Sequence, residues 1–156
     1  MIDQLMNFIR TGNEAEVEQL LTKDQSLVNQ ADARKFTPLI MATYMGNHGI
    51  AESLLAAGAN LEARDAKGNT ALMGVAFKGD ESMCRLLINK GAMLDKQNYE
   101  GATALTYAID YGHLSIVSLL IEKGAALNTK DAKGKTPQDH ARESGNQEVI
   151  DLLASV

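Results

Sequence analysis

The side chains able to do chemistry are few and scattered. Three histidines, His48, His113 and His140, and one cysteine, Cys84, are the candidates for metal ligands, bases or a thiol nucleophile. A structural or catalytic metal needs several such groups at close spacing. These lie far apart in the chain, so no metal is expected. A Ser–His–Asp arrangement needs an acid that orients the histidine. Asp110 and Asp139 are the acids available for that role, and His113 with Asp110 is the pairing that would make an enzyme. Nothing in the spacing requires it, and the chain has no G-x-S-x-G, P-loop or G-x-G-x-x-G motif. The expectation is a non-catalytic protein without cofactor.

Charge narrows the partner classes. There are 15 basic and 20 acidic side chains, a net charge of -5. Nucleic-acid binders concentrate positive charge on one face. Here Arg34, Lys35, Arg64, Lys67, Lys96, Lys130, Lys133 and Lys135 alternate with Asp32, Glu62, Asp65, Asp95 and Asp131. Solvated turns with local ion pairing are therefore expected, and no nucleic acid. No apolar run is long enough to span a membrane. A single cysteine forms no internal disulfide and suggests a reducing compartment, the cytoplasm, with export by a specialised secretion system left open.

The elements that hold these residues follow from a repeat. Thr37, Thr70, Thr103 and Thr136 are each 33 residues apart. The same step links Gly46, Gly79, Gly112 and Gly145, then Asp32, Asp65, Asn98 and Asp131, then Gly58, Gly91 and Gly124. Leu54, Leu87, Leu120 and Leu153 follow it too. Each unit reads as a polar turn, a threonine able to cap a helix, a short helix closed by glycine, and a second helix closed by another glycine. Pro38 and Pro137 fall at the first helical position, where proline is tolerated. Aromatics make up only 4% of the chain, with no Trp, so the core must be aliphatic. Cys84 shares its column with Ala51, Val117 and Ile150, which makes it a core position.

GNTALMGVAFKGD (68–80) with LLINKGAMLD (86–95), and GATALTYAIDYGHLSIVSLLIEKGAALN (101–128), resemble ankyrin repeats. The resemblance covers nearly the whole chain. It implies an all-α solenoid of stacked helix-turn-helix units with short β-hairpin or turn fingers, in one domain spanning 1–156. The units are an N-terminal cap (1–31), three full repeats (32–64, 65–97 and 98–130) and a C-terminal cap (131–156). The first is degenerate, with one residue inserted before Val28. The family's histidine three places after threonine is replaced by Ile40, Met73, Thr106 and Asp139, so its hydrogen bond is expected to survive only at Thr106. His113 matches the Gly-His link, which implies a structural contact between units. Lys35 replaces the turn glycine, so that turn is expected to be different or strained.

The resemblance also implies how such a protein works: finger tips and first helices line a concave face that holds a protein partner. Five of the seven aromatics fall at the implied positions. Phe36, Tyr44, Met45, Phe77, Tyr99 and Tyr111 are the expected anchors, since Tyr and Arg are enriched at interface hot spots. Arg34, Lys67, Lys78, Glu100 and Asp110 are the expected rim. Some of the rings could instead pack between units, Phe36 above all. The protein is expected to be a monomer that blocks, tethers or allosterically holds its partner. An enzyme at His113 and Asp110 is one alternative. A scaffold or designed array without a dedicated partner is another, against which the degenerate first unit and the irregular Lys35 weigh.

Overall fold

The computed structural model describes all 156 residues. The chain forms ten α-helices in five consecutive pairs: α1 (Ile2–Arg10) and α2 (Glu14–Lys23), α3 (Pro38–Tyr44) and α4 (His48–Ala56), α5 (Ala71–Lys78) and α6 (Glu81–Asn89), α7 (Ala104–Asp110) and α8 (Leu114–Glu122), α9 (Pro137–Ser144) and α10 (Gln147–Ala154). A short 3₁₀ helix (Gln25–Asn29) follows α2 and accommodates the irregular stretch before Val28. There are no strands, and the fingers are hydrogen-bonded turns.

The chain divides into two compact units, Met1–Ala71 and Leu72–Val156. In the N-terminal unit α1 packs on α2 and α3, while α4 packs on α2 and α3. Leu5, Met6, Ile9, Val17, Leu39, Ile50 and Leu54 are fully buried there. In the C-terminal unit α7 packs on α8 and α9, α8 on α6 and α10, and α9 on α10. Its core holds Leu72, Met73, Met83, Leu87, Leu105, Ile116, Leu120, Val149 and Leu153. Within each unit, helices thus pack on their pair-mates, and between successive pairs odd-numbered helices meet odd and even-numbered helices meet even. No aromatic residue is buried in either core, as the scarcity of rings predicts.

Helix starts follow the threonine column. Thr37, Thr103 and Thr136 each accept a hydrogen bond at Oγ1 from the amide three residues on, at Ile40, Thr106 and Asp139. Such a cap is worth about 1 kcal/mol. Thr106 reciprocates through its hydroxyl, as expected, which completes a capping box. Asp139 does the same: its Oδ2 accepts from the Thr136 amide at 2.9 Å. The expectation that only Thr106 keeps this bond is therefore corrected, because a carboxylate is as good an acceptor there as a hydroxyl.

Candidate functional site

The fingers are built identically. Asp32, Asp65, Asn98 and Asp131 each present one side-chain oxygen to two backbone amides, those two and four residues further on, at 2.8–3.0 Å. The turn needs a left-handed residue at its third position after the Asx. Gly68, Gly101 and Gly134 supply it with φ +80°, +79° and +76°, and Lys35 with φ +65°. Lys35 therefore keeps the same turn and is the one non-glycine residue with positive φ. The finger is not different, and the strain falls on Lys35, whose Cβ disfavours this region.

In the N-terminal unit the finger exposes Arg34 and half-buries Phe36. The Arg34 guanidinium lies 5.3 Å from the Phe36 ring centroid, within cation–π range, and its Nε is 3.8 Å from Asp32 Oδ2. Phe36 is thus held in place by its own finger. Tyr44 and Met45 are both exposed where α3 ends.

The C-terminal unit gathers a larger group. Phe77, near the end of α5, meets Tyr111 edge-on at 4.6 Å and 72°, and Tyr107 at 6.1 Å and 82°. Phe77 is half-buried by these contacts, so it is a support for Tyr111 rather than a free anchor. Tyr111 remains 55% exposed and Tyr99, at the finger tip, 70% exposed. Lys78, Glu100 and Asp110 are exposed in the same unit, as is Lys67 in the other. Tyr107 was not among the expected site residues. Its hydroxyl accepts a hydrogen bond from Asn98 Nδ2 at 3.0 Å, which ties the finger to its own helix.

Two of the three histidines, His113 and His140, serve the scaffold. His113 Nε2 lies 2.9 Å from the Phe77 carbonyl, which can only accept, so Nε2 carries the proton. This is the structural contact that the Gly-His link implies. It also undoes the pairing of His113 with Asp110, because Asp110 Oδ1 is bonded instead to His140 Nδ1 at 2.9 Å. His140 Nε2 meets Asp131 Oδ2 at 2.7 Å. The repeat register carries a signal for this: Tyr107 and His140 share a column, each nine residues after a finger Asx. Both bond back to that residue. Met41 and Gly74 occupy the same column and have no hydrogen-bonding side chain to do so.

Cys84 is fully buried. Burial, with Asp80 and Glu81 nearby, pushes its thiol pKa up to about 12. It is an inert core residue, as its column indicates. No group of three or more His, Cys, Asp or Glu side chains is placed to hold a metal ion.

Capped helix pairs joined by Asx-closed fingers at a 33-residue step define a helical repeat protein. A family model described as ankyrin repeats (3 copies) matches residues 72–156, and another described as ankyrin repeat matches residues 34–66. The chain belongs to the ankyrin-repeat family. No curated protein matches it. Ankyrin repeats are generally protein–protein interaction modules, and proteins of this family are typically non-catalytic. No helix is long and apolar enough to cross a membrane.

Proposed function

We propose that this protein captures a partner protein without catalysis, and that the finger and first-helix ends of the C-terminal unit carry the contact. The observation that supports this most is Tyr111: it is more than half exposed, yet the edge of Phe77 fixes it from one side. A rigid ring presented to solvent binds with little loss of conformational freedom. Tyr99 supplies a second exposed ring, and Lys78, Glu100 and Asp110 supply charge for register. In the N-terminal unit Arg34, Phe36, Tyr44 and Met45 form a second, separate candidate surface. Lys67 is a candidate rim residue. The protein acts by occupancy, as an adaptor or inhibitor, as a monomer and in the cytoplasm; the buried lone thiol supports a reducing compartment.

The test is affinity capture from an extract of the native cell, with wild-type protein and with Tyr99→Ala/Tyr111→Ala. Both side chains are exposed, so helical content and melting should stay close to wild type while capture is lost. Capture that survives in the folded double variant would remove the C-terminal surface from consideration. Sizing at two concentrations tests the monomer.

A further inference from the structure

The imidazole of His140 is clamped between two carboxylates from different parts of the C-terminal unit. Nδ1 is 2.9 Å from Asp110 at the end of α7, and Nε2 is 2.7 Å from Asp131 in the last finger. The His140 side chain is 16% exposed and that of Asp131 11%, whereas Asp110 is 43% exposed. Ionised carboxylates only accept hydrogen bonds, and a neutral imidazole has a single N–H to give. Both bonds can coexist only while the ring is charged.

We propose that His140 is a proton-operated latch: charged, it ties the α9–α10 pair to α7 and to the last finger, and neutral, it drops one of those ties and loosens the pair. The latch requires no partner, although Asp110 belongs to both this contact and the proposed partner surface.

The surroundings favour the charged form. Asp110 is the only ionisable carboxylate or cation that α7 contributes. From the finger come Asp131 and Lys135, the latter held by Glu143 of α9 at 2.8 Å. Asp139, next to His140, is engaged by the Thr136 amide and by Arg142. The carboxylates of α10, Glu148 and Asp151, make no bond to the ring, and Asp151 is held by Gln147. Burial of the ring works against its charge, but the bonds and charges of Asp131 and Asp110 outweigh it and hold the pKa above the ordinary 6.5. A raised histidine pKa contributes stability that is complete below the unfolded value and is lost as pH rises through the folded value. At the acid end, burial of Asp131 opposes its charge. Bonds from the Lys135 amide, His140 and the Lys133 amide more than offset this and set its pKa below 3.8. Its share is lost only as pH falls through that lowered value.

The experiment is a ring-proton NMR titration of His140 in the full chain, with amide hydrogen exchange of α9 and α10 between about pH 6 and about pH 9. The ring should titrate above 6.5. Protection factors in α9–α10, corrected for intrinsic exchange, should fall as pH rises. The fall is about tenfold for each unit by which the folded pKa exceeds the unfolded one. In His140→Gln that fall should vanish. Asp110→Asn alters only the exposed arm, so it should fold, lower the ring pKa and shrink the pH response. A ring pKa at or below 6.5, protection that is flat with pH in the wild type, a fall that persists in His140→Gln, or a fall undiminished in Asp110→Asn would overturn the latch.

Discussion

At φ +65° Lys35 holds a backbone conformation that the equivalent fingers give to Gly68, Gly101 and Gly134. Its ammonium makes no ion pair, so Lys35→Gly changes the strain at one point and little else in the finger. A left-handed residue with a Cβ costs about 1–2 kcal/mol. Glycine gives part of that back, since its unfolded chain is freer by roughly 0.5–1 kcal/mol. The net gain is about 0.5–1 kcal/mol, which at this chain length raises the melting temperature by roughly 1–4 °C. A far-UV circular dichroism melt reads it directly. A urea titration should show a higher midpoint with an unchanged slope. Two companions separate strain from packing. A Cβ at Gly134 meets no heavy atom within 4 Å, so Gly134→Lys should lose about what Lys35→Gly gains. A Cβ at Gly101 would sit 2.7 Å from the backbone of Asp131 and Ala132, so Gly101→Ala should lose more. A neutral or destabilising Lys35→Gly, together with a harmless Gly134→Lys, would refute the strain argument.

Gly79→Ala should destabilise by about 2–3 kcal/mol, combining a left-handed Cβ with loss of the His113–Phe77 bond. The new methyl would lie 2.5 Å from His113 Cε1 and push the ring off the carbonyl, and a thermal melt checks it. Cys84 should not react with an aromatic disulfide reagent in the folded protein near neutral pH, since its thiol pKa is about 12 and it is fully buried. Reaction should appear on addition of denaturant. Fast labelling of the native chain would contradict that burial.

The scaffold was legible because it depends on residue types that recur in register. Threonine caps, the prolines of α3 and α9, and helix-closing glycines with φ between 67° and 98° sit where the 33-residue step puts them. The aliphatic core and the burial of Cys84 followed from the same columns. What escaped were contacts that link positions in different columns. The period aligns equivalent residues but does not say which columns touch. Phe77 reads as an exposed ring until Tyr107 and Tyr111 are seen against it. Asp110 reads as a rim charge or a partner for His113 until His140 takes it. Asp139 differs for another reason: the family histidine is absent there, but the carboxylate that replaces it is itself an acceptor for the Thr136 amide.

Every finger is closed by backbone amides and one Asx oxygen, a closure that depends on no other side chain. Proline is barred at Arg34, Lys67, Glu100 and Lys133, whose amides donate to that oxygen. Proline is barred at Ala132 as well, whose amide donates to the Glu100 carbonyl at 3.0 Å. Tyr99 stands on the same frame that carries Ala33, Ala66 and Ala132 in the other fingers. Substitutions there should carry little thermodynamic penalty, so the chemistry of the tips can change without revising the architecture.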